Sequence, residues 1–198
     1  MSRWRALWLF LALVPVFNGL TVLVLPTVIN HLVMHRIAAQ GVAQATVAHP
    51  TPRQSDVLVR QGLNVALPAP RATADARTVV RPSPDLLYTA CVFDLADGPL
   101  HLRAPVPPGY LSLSAFSADS SNFFAMNDGD ATVNADGQRE LHVVLSRHAN
   151  IPVPEGAKLV VSPSTRGLVL FRLLVREDER ASLLREQFQW QQRCEPIT

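Results

Sequence analysis

Residues 86–95 read LLYTACVFDL. Tyr88, Thr89, Val92 and Phe93 favour extended backbone, and apolar side chains fall on both parities. That pattern suits a strand covered on both faces. Further along, Tyr110 to Ser117 alternates, with Leu111, Leu113 and Ala115 on one side and serines on the other. Leu141, Val143 and Leu145 alternate with His142, Val144 and Ser146. Leu159 to Val161 is short, and Leu168 to Val175 puts Val169, Phe171, Leu173 and Val175 on one face. Asp97-Gly98-Pro99, Pro107-Pro108-Gly109, Asn127-Asp128-Gly129, Asp136-Gly137 and Glu155-Gly156 supply turns between these runs. Short strands at such spacing, with no helical pattern between them, predict a mainly β domain, an antiparallel sandwich or jelly-roll-like body.

Both flanks differ. Thr46 to Arg77 holds Pro50, Pro52, Pro68 and Pro70 and reads as a strap or linker, with room for a short element at Val57 to Leu63. After Val175, Glu177, Asp178 and Glu179 favour a helix start. Ala181, Leu184 and Phe188 recur at helical spacing, so a C-terminal helix should pack on the sheet.

The N-terminus is apolar. Ala6 to Asn30 carries no charge, and 25 residues of helix span about 37 Å, enough for a hydrocarbon core of about 30 Å. Pro15 and Pro26 interrupt the run, and Trp4 and Trp8 sit where an interfacial belt belongs. Arg3 and Arg5 precede the segment, while Arg36 alone follows closely, which orients the N-terminus to the cytoplasm. A cleaved signal peptide is the rival, because Ala43-Gln44-Ala45 is a small-x-small triplet. Against it, the apolar run exceeds about 7–15 residues and the triplet lies far beyond its end. The expected organisation is a transmembrane anchor at 1–30, a juxtamembrane helix and Pro-rich linker at 31–77, and an exported β-rich domain at 78–198. The expected location is a bacterial inner membrane, with the domain in the periplasm.

Charge narrows function. There are 18 basic and 16 acidic residues, and Arg3 and Arg5 account for the excess. A body with no net charge argues against nucleic-acid binding, which needs clustered cations. No phosphate loop, dinucleotide fingerprint or nucleophile elbow occurs. His31 and His35, four apart, can share a helix face, but no third metal ligand stands nearby. In Asn127 to Glu140, a calcium loop registered on Gly137 would put its bidentate acid at Val143, so two Asx-Gly turns explain the stretch better. No cofactor or metal is expected. Arg172 lies between Leu170 and Leu174 and needs a partner. Asp85 and Asp94 are the candidates, either in a structural ion pair or in a ligand site. Cys91 and Cys194 either form a disulfide across a loop of 104 residues or stand apart as two thiols.

Several blocks in order resemble the domain-of-unknown-function family 1254. They are VRPSPDLLY at 80–88, FDLADGP at 93–99, YLSL at 110–113, DSSNFFAMND at 119–128 and PSTRGLVLFR at 163–172. The resemblance covers Val79 to Cys194. It implies a β-rich domain with marginal helices, and no agreed chemistry. Two-domain members of this kind continue into a second domain, of unknown-function family 1214. Here the chain ends at Thr198, so a separate membrane-anchored protein carrying that domain is an expected partner. Asp85, Tyr88, Asp94, Asn122 and Arg172 match the family blocks. They are either fold determinants or a site, and a pocket near Tyr88, Asp94 and Arg172 would make the protein a small-molecule binder or an enzyme. The main expectation is an envelope interaction protein.

Overall fold

The stretch at 86–95 forms a strand in the computed structural model, which describes residues 3–48, 62–72, 82–175 and 186–197. In chain order the elements are helix α1 (Arg3–Ala48) and strands β1 (Leu67–Pro68), β2 (Leu86–Asp94), β3 (Leu100–Pro105), β4 (Leu111–Ser117) and β5 (Asn122–Asn127). They continue with β6 (Thr132–Val133), β7 (Arg139–Ser146), β8 (Lys158–Val161), β9 (Arg166–Leu174) and β10 (Arg193–Pro196). One sheet runs β1-β2-β9-β4-β5, antiparallel throughout. The other runs β10-β3-β7-β6, also antiparallel, with β8 joining β7 in parallel. The body is therefore a mainly antiparallel β-sandwich, with one parallel pair that strand pattern alone does not reveal.

Period-two alternation decides what lies between the sheets. Leu87, Cys91 and Phe93 of β2 and Val169, Phe171 and Leu173 of β9 meet Leu100, Leu102, Leu141, Val143 and Leu145 of the second sheet in one buried cluster. Close approach needs a glycine at one place. A Cβ on Gly167 would lie 2.2 Å from the Phe116 carbonyl oxygen and 2.5 Å from Cζ of Phe93. Cys91 of β2 is bonded to Cys194 of β10, so the cross-link runs from one sheet to the other through the core, with Cα atoms 6.4 Å apart.

The outer face of β2 is covered as well. Val92 packs with Leu63 and with Met34 of α1, and Ile37, Ala38 and Leu168 close around them. Thr27, Asn30, Met34, Ile37 and Ala38 form the sheltered stripe of the helix, at the three-and-four spacing of one helical face. Asn30 is buried, and its Nδ2 donates to the Ser117 and Ala118 carbonyls at 3.0 Å each. Below this stripe the helix is bare: Trp4, Leu7, Phe10, Phe17 and Leu23 are all exposed. Leu7–Ala39 is long and apolar enough to cross a membrane.

The Pro-rich strap joins the body where it is described. Leu67 and Pro68 pair with Ala90 and Thr89, and Leu63 and Leu67 are buried. Gly62, at φ +68°, presses its α-carbon face on Ala38 of α1, where a Cβ would fall 1.8 Å from the carbonyl oxygen. The strand-like start at Val79 and most of the element at Val57 to Leu63 lie outside the described residues. So do Glu177, Ala181 and Leu184. Residues 186–190 are helical, and Phe188 packs against the core.

Candidate functional site

Asp94 closes β2 beside α1. Its side chain is 3% exposed, and Oδ2 accepts from Nε of Arg166 at 2.5 Å. Oδ1 accepts from the Ala96 N–H at 2.9 Å. Asn64 brackets the same residue: its Oδ1 accepts from the Asp94 N–H at 2.7 Å, and its Nδ2 donates to the Asp94 carbonyl at 2.9 Å. An asparagine suits this task, because Asn64 has φ 57°, a left-handed conformation that asparagine adopts more readily than most residues. The Asp94 carboxylate is therefore held by two partners, Arg166 and the Ala96 N–H, while Asn64 fixes the backbone that carries it.

Arg172 does not meet Asp85 or Asp94, contrary to the expectation above. Arg166 stands opposite Asp94 in the β2–β9 register and takes that carboxylate, while Arg172 stands opposite Tyr88. Nη2 of Arg172 donates to Ser114 Oγ at 2.6 Å. Its Nε and the hydroxyl of Ser112 are buried without a hydrogen-bond partner. Tyr88 turns its hydroxyl to the Ser83 N–H at 3.0 Å, and the Tyr88 carbonyl accepts from Nε2 of Gln189 at 2.8 Å.

The five residues singled out from the sequence do not converge. Tyr88 and Arg172 are neighbours. Asp94 lies six residues along β2, about 20 Å away. Asp85 is exposed beyond the other end of β2, where its carbonyl accepts from the Val175 N–H at 2.7 Å. Asn122 is exposed on the edge strand β5. In the 127–140 stretch two asparagine oxygens serve their own turns: Asn127 Oδ1 accepts from Gly129 N–H, and Asn134 Oδ1 from the Asp136 and Gln138 N–H groups.

Sequence reasoning missed two features. The first is on the outer face of the second sheet. His101 of β3 and His142 of β7 pack edge to face with ring centroids 5.2 Å apart. Both Nε2 atoms are buried without a partner. Nδ1 of His142 lies 3.9 Å from Oε1 of Glu140, and Arg103 grips both Glu140 oxygens at 2.9 and 3.1 Å. Burial lowers the pKa of both imidazoles from 6.5; Glu140 and Glu195 pull the other way without prevailing. Both rings are thus biased toward the neutral form. The second feature is a cavity of about 420 Å³ between α1 and the first sheet. His31 and His35 of α1 and Arg166 of β9 supply its polar groups, with Met34, Leu63 and Val92 among its apolar ones.

No group of three or more His, Cys, Asp or Glu side chains is placed to hold a metal among the described residues. His31 and His35 both line the cavity. Among the described residues, no nucleophile stands with a base and an orienting acid.

Two sheets closed over one core, with a helix of membrane length packed on the outside of one of them, define a β-sandwich protein with an N-terminal apolar helix. The chain belongs to the family described as protein of unknown function (DUF1254), whose model matches residues 63–196. Among solved structures it is similar to the VPA0106 protein of Vibrio parahaemolyticus, at 14% identity and TM-score 0.51, over 85% of this chain and 38% of that one. It is also similar to an uncharacterized protein from Burkholderia cenocepacia, at 18% identity and TM-score 0.45, over 67% of this chain and 44% of that one. The chain thus spans less than half the length of either solved protein. No curated protein matches it.

Proposed function

We propose that this is a single-pass membrane protein whose β-sandwich stands on the periplasmic side of a bacterial inner membrane. There it pairs with a separate protein carrying the complementary domain of unknown-function family 1214. The observation that carries the anchor is the packed stripe on α1. A leader cut after Ala45 would strip Asn30, Met34 and Ala38 from the body and uncover Leu63 and Val92. A transient leader has no need of such contacts.

The same contacts support a membrane depth. Leu7 to Pro26 spans about 30 Å, the thickness of the hydrocarbon layer. Just above it the 117–121 loop meets the helix, with Ser120 Oγ donating to the Pro26 carbonyl at 3.4 Å. In that loop the Ser117 hydroxyl and then the Ser121 N–H hold the Asp119 carboxyl below its usual range, so it stays ionised and belongs in water. Arg3 and Arg5, before the helix, favour a cytoplasmic N-terminus.

The partner is supported by the VPA0106 likeness, in which this sandwich is a minor share of a longer chain. Purification of the full chain from membranes in mild detergent tests it. A stable companion should co-elute; a lone monodisperse monomer overturns the pairing. A reporter active only in the cytoplasm, fused after Thr198, should be silent.

A second reading is favoured by one observation. Nε of Arg172 and Oγ of Ser112 are buried and unsatisfied beside Tyr88, which is the chemistry of a small-molecule or enzyme pocket near Tyr88 and Arg172. Its test is thermal stabilisation by small carboxylates in the wild type and not in Arg172→Met.

A further inference from the structure

On the membrane reading above, the cavity between α1 and the first sheet stands at the level where the helix leaves the bilayer. His31 lies five residues beyond Pro26, about 8 Å along the axis, which is the depth of the headgroup layer. One wall is therefore the anchor itself and the other is the sandwich. The lining combines the two halves of an amphiphile's chemistry. Arg166 presents a guanidinium, the group best shaped to hold a phosphate by two parallel hydrogen bonds. Its Nε bond to the buried Asp94 fixes the guanidinium plane, and 59% of its side chain is still exposed. His31 and His35 add ring nitrogens on the helix wall, and Met34, Leu63 and Val92 form an apolar floor. A volume of about 420 Å³ is within the usual range for small-molecule sites, about 300–1,000 Å³.

We infer that this cavity binds a membrane glycerophospholipid, with its phosphate on Arg166 and the histidines, and the first carbons of an acyl chain on Met34, Leu63 and Val92. The inference rests on the membrane reading above. A phospholipid is the occupant favoured over a soluble phosphate for two reasons. The cavity floor is apolar where a free phosphate has nothing to bury, and its helix wall continues unbroken into the lipid-facing run.

The test uses the full chain in phosphatidylcholine vesicles doped with a photoactivatable phosphatidylglycerol. Crosslinks should concentrate on residues 31–39, 63, 92 and 166. Arg166→Gln should lower labelling by at least about tenfold, through loss of the charge-assisted hydrogen bonds to the phosphate. Because that change also releases Asp94, a second variant is needed. Ala39→Phe fills the cavity and leaves the Asp94 pair intact, and it should lower labelling at least as far. Excess inorganic phosphate should not compete. Labelling spread evenly along α1, equal labelling in Ala39→Phe, or full competition by inorganic phosphate overturns the lipid site. The two readings fail separately. A mature chain that begins after Ala45 overturns both, whereas an intact chain that resists alkaline carbonate extraction but stays unlabelled overturns the lipid site alone.

Discussion

The side-chain amide of Asn30 donates to the carbonyls of Ser117 and Ala118, at 3.0 Å each, across 87 and 88 residues of chain. This contact ties the helix to the loop between β4 and β5. Asn30→Leu keeps the branching of the side chain and removes both bonds, leaving the Ala118 carbonyl without this donor, while the Ser117 carbonyl keeps the Ser120 N–H. It should cost about 1–3 kcal/mol. Urea unfolding of the detergent-solubilised protein, followed by tryptophan emission, measures it. A variant as stable as the parent would mean that the amide contributes nothing.

Gly62→Val attacks the same junction from the strap. Its Cβ would meet the Ala38 carbonyl at 1.8 Å, and a β-branched residue is strained at φ +68°. The strap should lift from α1, exposing Leu63. Limited proteolysis should then cut the variant near residue 62 at enzyme levels that leave the parent whole.

The Cys91–Cys194 bond closes a loop of 104 residues between the two sheets. Replacing both cysteines by alanine should lower stability by about 2–5 kcal/mol, the usual loss for a native cross-link of this kind. The parent should show no free thiol to maleimide in denaturant until it is reduced. Free thiol in the unreduced protein would contradict the bond.

His101 and His142 predict the response to acid. Burial lowers both pKa values below 6.5, so the unfolded chain takes up protons at a pH where the folded chain does not. Stability therefore rises with pH between the lowered folded values and about 6.5, and it falls as the pH drops through that window. The groups facing the pair are Arg103, Glu140 and Glu195, and their partly opposed charges leave desolvation in control. Urea midpoints at pH 8 and pH 5 should differ in the parent. The difference should shrink in a His101→Gln, His142→Gln double variant. An unchanged difference assigns the acid response to carboxylates.

Much of the sandwich was legible in local pattern. β9 alternates along its length, β4 and β7 set Leu111, Leu113, Leu141, Val143 and Leu145 two residues apart, and β2 is apolar on both parities, which reads as a strand covered on both faces. The strands that escaped are short or masked by neighbours. β1 has two residues inside a proline-rich run, β3 ends on Pro105, and β10 has four residues with Cys194 as its sole core side chain. The helix was legible as apolar but not as packed. A stripe of Thr27, Asn30 and Met34 is invisible within a run that is apolar on every side.

The candidate site was less legible, because its contacts are set by register. Asp94 and Arg166 are 72 residues apart, and pairing β2 with β9 brings them together. Shifting that register by two would have given Asp94 a different partner while leaving every side chain on its own face of the sheet. His101 and His142 belong to strands joined only by the β3–β7 pairing. No spacing rule links them. The two histidines noticed for their four-residue spacing, His31 and His35, line a cavity instead.

The bond from Cys91 to Cys194 makes a covalent ring that encloses β3 through β9 entire. A single protease nick in any loop within that ring opens the chain but sheds no fragment. On a gel the nicked molecule should migrate as one species until a reductant is added. A tether before residue 91 would then retain every piece of the severed body.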